Sequence, residues 1–190
     1  HLKIGHAGTL DPLATGLLII CTGKKTKEIS SFQDLPKEYT GTFFIGATTP
    51  CYDKEKEVDE IFPTEHITNE MVYETAKSFI GKQEQIPPMF SAVKVDWKRL
   101  YKLARVGAEI ELKARPIEIL EFEITACNLP LVDFRIACTK GTYIRSIARD
   151  FGLALNSGAY LDALCRTKIG HFSIEDTKTP EEFIKTLTTD

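Results

Sequence analysis

The densest group of residues that could carry out chemistry lies near the start of the chain, at residues 5–18. This segment reads G-H-A-G-T-L-D-P-L-A-T-G-L-L, so three glycines surround His6 and Asp11. Pro12 disfavours the helical region for the residue before it, which places the Asp11 carboxylate on an extended or turn backbone. Glycines let the chain approach a ligand closely because they carry no side chain. Taken alone, an Asp-Pro turn of this kind is more often a plain turn than a catalytic site.

Other catalytic chemistries find little support in the sequence. The four histidines have no partner at the spacing of metal ligands, so a metal site is not expected. The glycine-flanked segment fits neither the P-loop nor the dinucleotide-binding pattern, and a G-x-S-x-G elbow is absent. A second carboxylate beside Asp11, as in a glycosidase, is left open. If the segment is catalytic, a single aspartate that uses no metal and no cofactor is the simplest candidate.

The distribution of charge along the chain points to RNA, although the formal net charge of −3 argues against a polyanion partner. Acidic residues concentrate in residues 53–86 and 118–134. Residues 87–117 hold seven bases and three acids, and residues 135–170 hold six bases and two acids. Three tyrosines lie among these bases, and phosphate neutralisation combined with aromatic stacking is typical of RNA binding. Solvated helix faces explain the charges alone about equally well.

The predicted helices and strands, which must position these residues, indicate an α+β protein. Strands are predicted over residues 17–22, 39–46, 117–126 and 134–138. Helices are predicted over residues 68–81, 100–107 and 143–155, with a last helix that begins with a capping box at residues 179–182. Because strands and helices do not alternate regularly, we expect a mixed, mainly antiparallel sheet flanked by helices.

Length and composition indicate a single domain of 190 residues. The five cysteines are odd in number and widely spaced, which argues against a disulfide framework. The longest apolar run is far too short to cross a bilayer, and no signal-peptide pattern opens the chain. These observations predict a cytoplasmic protein without a membrane partner, and we expect it to be a monomer.

Five segments, in order, resemble the motifs of the TruB-type tRNA pseudouridine synthases. Residues 5–18 are similar to the family's catalytic motif, G-H-x-G-x-L-D-P-x-A-x-G-x-L. The other matching segments are residues 85–94 (Q-I-P-P-M-F-S-A-V-K), 100–105 with 115–117, 140–145 (K-G-T-Y-I-R) and 158–166. An ordered set that covers most of the chain is far more specific than one short motif. The resemblance implies the pseudouridine synthase fold.

The resemblance also implies a reaction and roles for individual residues. Members of the family convert uridine-55 in the T loop of tRNA to pseudouridine after base flipping, without cofactor or metal. Asp11 is then the catalytic carboxylate, which acts at the ribose C1′ or 2′ position, and Arg145 is its counter-ion. Tyr39 is implied to stack against the target base. The implied substrate-binding residues are His6, Tyr39, Tyr143, Arg145 and Leu164, and the expected contacts to the RNA backbone are Lys94, Lys98, Arg99, Arg105 and Arg166.

Compared with the order of motifs in the family, the chain is expected to be a catalytic domain that lacks an N-terminal segment and a C-terminal RNA-binding domain. A basic insertion that contacts RNA is expected at about residues 83–115. Two other interpretations stay open. The first is a non-catalytic tRNA-binding or RNA-chaperone module, and the second is a small-molecule glycosidase that uses Asp11. A binding module has no need of a carboxylate paired with Arg145, and a glycosidase should act on free nucleosides.

Overall fold

A computed structural model of the protein describes residues 2–88 and 112–187, together with the backbone alone of residues 94–95 and 98–99. The helix predicted over residues 100–107 lies outside these described residues. Within them, no helix is both long enough and apolar enough to span a membrane.

A mainly antiparallel sheet forms the centre of the described structure. Its strands and the smaller ones around it are β1 (Ile4–His6), β2 (Thr15–Gly16), β3 (Ile20–Thr22), β4 (Lys37–Ile45), β5 (Ala47–Thr48), β6 (Glu60–Ile61), β7 (Gly81–Gln85), β8 (Lys94–Val95), β9 (Lys98–Arg99), β10 (Arg115–Asn128), β11 (Leu131–Cys138), β12 (Ala159–Ile169) and β13 (Phe172–Ser173). The large sheet has the order β13-β12-β4-β11-β10-β7, and β2 joins β12 in parallel. The predicted α+β class with a mixed, mainly antiparallel sheet is therefore confirmed.

Helices are placed around this sheet. They are α1 (Ile29–Asp34), α2 (Asn69–Ser78), α3 (Ile144–Ala154) and α4 (Pro180–Leu187), with 3-10 turns at Gly23–Glu28 and Ile174–Asp176. Helix α3 packs on the sheet through a group of aromatic rings. The Phe43 ring centroid lies 4.2 Å from that of Phe134 and 5.5 Å from that of Phe151 on α3. This contact fixes the helix whose second residue is Arg145.

Removal of the Phe43 ring should destabilise the whole fold. Phe43 is fully buried, so Phe43→Ala is expected to lower the free energy of unfolding by about 3–5 kcal/mol. Phe183→Ala, at an exposed position of α4, should change it by less than about 0.5 kcal/mol. Urea unfolding of the two variants measures this difference, and equal losses would contradict the packing described.

Two predicted helix starts are confirmed at the level of single hydrogen bonds. The Thr68 hydroxyl accepts from the Met71 N–H at 3.2 Å and caps α2. At α4, the Thr179 hydroxyl accepts from the Glu182 N–H at 3.2 Å, while the Glu182 carboxylate accepts from the Thr179 N–H at 2.8 Å. Helix α2 ends at Ser78 with Phe79 as its C-cap, and Gly81, predicted to stop the helix, follows with a φ of +111°.

Two strand assignments differ from the prediction. The single buried strand expected over residues 17–22 is wrong: only Ile20–Thr22 forms a strand there, and it pairs with β1 with Ile20 exposed. The long strand β12 was not predicted. Two register shifts against β4 and the buried side chain of Arg166 interrupt its alternation of polar and apolar residues, which is the signal for a strand.

Candidate active site

Asp11 and Arg145, 134 residues apart in the sequence, form a bidentate ion pair. Arg145 Nε donates to Asp11 Oδ2 at 2.9 Å, and Nη2 donates to Oδ1 at 3.0 Å. The Arg145 side chain is 5% exposed, whereas that of Asp11 is 35% exposed. The guanidinium is thus the buried side of the pair, and the carboxylate is the accessible side. Two parallel N–H···O bonds fix the plane of the carboxylate.

The fold holds both partners from the backbone. Asp11 lies in the loop between β1 and β2, where its carbonyl accepts from the Ala14 N–H at 2.9 Å and closes a turn. Arg145 lies in the first turn of α3. The residue before that helix, Tyr143, donates its N–H to Gln85 Oε1 at 2.8 Å and accepts from Gln85 Nε2 at 3.1 Å. These two hydrogen bonds attach the start of α3 to the end of β7.

A second carboxylate, that of Asp53, faces the same guanidinium. Asp53 is fully buried, and its Oδ2 lies 3.5 Å from Arg145 Nε. Its Oδ1 accepts from the Cys51 thiol at 2.9 Å and from the Glu55 N–H at 3.0 Å. Burial raises the pKa of the Cys51 thiol, which keeps the thiol protonated as a donor. Arg145 therefore sits between an accessible and a buried carboxylate.

The ion pair forms part of the wall of a cavity of about 1050 Å³. Tyr39, Tyr143 and Arg166 line this cavity together with Asp11 and Arg145. Burial raises the pKa of Tyr39 to about 12, so its hydroxyl stays protonated at neutral pH. Small-molecule pockets span roughly 300–1000 Å³, so a nucleotide fits within this space. An accessible carboxylate in an aromatic-lined cavity can act on a sugar as a nucleophile or as a base.

Comparison with known families shows which family the chain belongs to. The chain matches the model of the TruB family pseudouridylate synthase (N terminal domain) over residues 1–144. The chain belongs to the TruB family. Proteins named tRNA pseudouridine synthase B are similar to it along most of its length. The one from Flavobacterium johnsoniae is 61% identical over 174 residues, which are 92% of this chain and 76% of that protein. The one from Phocaeicola vulgatus is 58% identical over 182 residues, 96% of this chain and 77% of that protein.

Solved structures share the fold of this TruB-family chain. A Cbf5-Nop10-Gar1 complex contains a chain with a TM-score of 0.67 and 28% identity, and the match covers 90% of this chain and 41% of that chain. A chain in an H/ACA RNP bound to a substrate RNA containing 2′-deoxyuridine has a TM-score of 0.64 at 24% identity, with 90% and 40% covered. The predicted pseudouridine synthase fold is confirmed.

The structure gathers some of the predicted substrate-binding residues and separates others. Tyr39, Tyr143 and Arg145 line the cavity around Asp11. His6 is exposed on β1, opposite Ile20 of β3, and does not line this cavity. Leu164 does not line it either, because its position on β12 turns the side chain into the hydrophobic core. The substrate contact of Leu164 stays a prediction.

The predicted RNA-binding residues are also redistributed. Arg166 is only 2% exposed: its Nε donates to the Leu17 carbonyl at 2.8 Å, and its Nη2 donates to the Gly8 carbonyl at 3.1 Å. An arginine held inside the protein by carbonyls is not a surface contact for phosphate, so that prediction is corrected. For Lys94, Lys98 and Arg99 only the backbone is described, as the paired strands β8 and β9, and Arg105 lies outside the described residues.

The fold neutralises several bases that the sequence counts as available to RNA. Arg135 on β11 pairs with Glu38 at 3.1 Å, Glu121 at 2.7 Å and Glu123 at 3.0 Å. The two latter acids lie on β10, the strand beside it, which belongs to the acidic stretch of residues 118–134. Pairing of β10 with β11 thus places acids of the acidic stretch directly beside a base of the basic stretch. Charge counted along the chain overstates the charge available to a nucleic acid.

Salt dependence should distinguish cavity bases from neutralised bases. Arg115 is exposed and lines the cavity, so Arg115→Gln is expected to reduce the slope of log affinity for tRNA against log salt by about 0.7–0.9, one phosphate contact. Arg135→Gln should leave the slope unchanged, because that side chain already has three carboxylate partners. Filter binding at several salt concentrations measures both slopes. Equal reductions in the two variants would contradict this division.

Proposed function

We propose that the chain isomerises uridine to pseudouridine in the T loop of tRNA, with Asp11 as the catalytic carboxylate. The observation that carries the proposal is the Asp11–Arg145 ion pair in the wall of a nucleotide-sized cavity in a TruB-family chain. In this isomerisation the N1–C1′ bond of the uridine breaks and a C5–C1′ bond forms. The C5 hydrogen leaves as a proton and N1 gains one, so atoms and electrons balance.

The geometry supports a direct role for Asp11 at the ribose. Arg145 binds both oxygens of Asp11 from the buried side, and each carboxylate oxygen keeps a further lone pair for the cavity side. A lone pair on that side can attack C1′ or remove a proton at C2′. When Asp11 loses its negative charge in either step, Asp53 remains 3.5 Å from the guanidinium and continues to balance it. The pair of carboxylates thus lets the charge on Asp11 change without leaving Arg145 unpaired.

The aromatic wall supports recognition of a base outside its stack. A uridine inside a folded loop must be flipped out, which costs a few kcal/mol. Stacking on an aromatic side chain is worth about 1–3 kcal/mol per base, enough to offset much of that cost. Tyr39 lies in the cavity with Asp11 and is partly buried, with its side chain packed against the hydrophobic core. We assign it the stacking role.

The proposal extends to the rest of the chain. Gln85 at the end of β7 pairs with Arg115 at the start of β10, so the chain leaves and re-enters the sheet at adjacent positions. This supports a basic insertion at about residues 83–115 within a single catalytic domain, and we assign it to RNA contact.

All five cysteines carry free thiols, which supports a reducing compartment such as the cytoplasm. We retain the monomer as a prediction for sedimentation equilibrium.

Incubation with a tRNA T stem-loop transcript tests the function. After nuclease digestion, chromatography of the nucleosides should show pseudouridine rising towards one per transcript at the T-loop uridine. Binding of the transcript without conversion would overturn the proposal in favour of a non-catalytic RNA-binding module. Cleavage of free nucleosides into base and sugar, without action on the transcript, would favour the glycosidase.

A further inference from the structure

We propose that Arg166 is a positioning residue that holds the loop carrying Asp11 and the ring of Tyr39 in one arrangement. This inference deepens the proposed function and rests on it, because the geometry concerned is that of the same site. It replaces the phosphate contact that the sequence predicted for Arg166. Arg166 binds carbonyls of the loop, pairs with β2 at the same position and lies opposite Tyr39 on β4.

The guanidinium of Arg166 binds the catalytic loop on both sides of Asp11. Nη2 donates to the Gly8 carbonyl, before Asp11 in the sequence, at 3.1 Å. Nε donates to the Leu17 carbonyl, after Asp11, at 2.8 Å. One side chain therefore joins the entry and the exit of the loop. Displacement of either end would move Asp11 relative to Arg145, which is attached to a different element.

The backbone of Arg166 reinforces the same attachment. Its carbonyl accepts from the Leu17 N–H at 2.8 Å, and it pairs with Gly16 where β2 joins β12 in parallel. Gly16 has a φ of +104°, and a Cβ there would lie 2.4 Å from the Arg166 carbonyl oxygen. This close approach requires glycine. The main chain and the side chain of Arg166 thus act together to fasten the loop to β12.

The third contact of Arg166 reaches Tyr39. The two residues are partners across β12 and β4, and the Arg166 cation lies near enough to the Tyr39 hydroxyl to oppose the rise in its pKa that burial causes. The same cation thus links the loop that carries the carboxylate with the ring assigned to stack on the base. A planar guanidinium has five N–H donors in fixed directions and can reach acceptors on separate elements, whereas a lysine ammonium cannot hold the same fork.

The cost of burying this cation argues for a role in the site. Within the described residues, no carboxylate lies within ion-pair distance of Arg166, and its side-chain hydrogen bonds go to backbone carbonyls. Burying a cation without an opposite charge is unfavourable, and apolar residues commonly fill a core position at lower cost. An arginine at this position is explained if the orientation of Asp11 and Tyr39 depends on it.

Turnover and affinity distinguish positioning from phosphate contact. A shift of about 1 Å in a catalytic group can cost about 100-fold in rate. Arg166→Met is therefore expected to lower single-turnover conversion of the T stem-loop transcript by at least about 100-fold, with the Kd for RNA within about threefold. The matched control is Lys168→Met, which removes the same charge from the same strand at a side chain that is 52% exposed. Lys168→Met should convert the transcript at a rate within about twofold of the rate of the parent chain.

A second measurement does not depend on turnover. Amide hydrogen exchange of peptides that cover residues 7–19 should be faster in Arg166→Met than in the parent chain, while peptides from β10 and β11 stay unchanged. Arg166→Lys can keep one carbonyl contact and should give intermediate exchange and intermediate turnover. Lys168→Met should match the parent chain in both measurements.

The outcomes separate this inference from the function on which it rests. Lost RNA affinity at unchanged conversion rate would overturn it in favour of a phosphate contact, and unchanged exchange would overturn it as well. If Arg166→Met does not fold, Arg166→Lys takes its place. If neither variant folds, Arg166 serves overall stability and the inference is overturned. A parent chain that forms no pseudouridine would contradict the proposed function, while the exchange experiment would still test the attachment of the loop.

Discussion

Asp11→Asn is expected to lower the conversion of a T stem-loop transcript by at least about 1000-fold. The amide has nearly the same shape as the carboxylate, but it is a poor nucleophile and a poor base, so neither attack at C1′ nor proton removal at C2′ proceeds. The Kd for RNA should stay within about threefold, because the cavity keeps its shape and its aromatic wall. Single-turnover conversion and filter binding on the same preparation measure the two quantities.

Asp162→Asn is the matched control for this variant. Asp162 is also a half-buried aspartate in an ion pair: its side chain is 31% exposed and its Oδ1 lies 3.3 Å from Lys54 Nζ. It does not line the Asp11 cavity. Its replacement should leave conversion within about twofold of the parent chain. If Asp11→Asn and Asp162→Asn converted RNA at the same rate, Asp11 would not be the catalytic carboxylate.

Arg145→Met is expected to reduce both turnover and stability. Without the guanidinium, the carboxylates of Asp11 and Asp53 lose their shared counter-ion, and Asp53 is fully buried. Removal of one partner from a buried ion pair typically costs about 3–5 kcal/mol. We expect a loss of that size in the free energy of unfolding, together with a decrease in conversion of at least about 100-fold because Asp11 is no longer held in its plane.

Two comparisons separate charge from geometry in this prediction. Arg145→Lys keeps the positive charge but cannot form the bidentate pair, so it should recover part of the stability while conversion stays low. Arg149→Met removes an arginine from the next turn of α3, where it pairs with the partly exposed Asp150 and lies over the Tyr52 ring, and should cost about 1–2 kcal/mol, less than Arg145→Met. Urea unfolding measures the stabilities. An Arg145→Lys variant with parental conversion would show that charge alone is sufficient.

Local signals in the sequence predict much of this fold. The caps at Thr68 and Thr179 depend on residues within one helical turn, and both form as expected. Much of β10 and all of β11 alternate between buried and accessible positions, so their periodicity is visible in the sequence. The contact between Asp11 and Arg145 spans 134 residues and was expected only because two motifs resemble those of one family.

The remaining features depend on contacts that spacing along the chain does not contain. A buried acid such as Asp53 looks like any other acid until the fold places it beside Arg145. Arg135 counts as a free base until β10 and β11 pair and bring Glu121 and Glu123 to it. Arg166 belongs to a basic stretch, yet its partners are carbonyls of a loop near the other end of the sequence. Each correction arises from a long-range pairing.

Release of the C5 hydrogen tests the central claim most directly, because formation of the C5–C1′ bond requires the loss of that atom. A T stem-loop transcript labelled with tritium at C5 of its uridines is mixed with an excess of the chain or of Asp11→Asn. We predict that the parent chain releases to water the label of one uridine per transcript, and that Asp11→Asn binds the RNA but releases none. No release by the parent chain, or equal release by both proteins, would contradict the account.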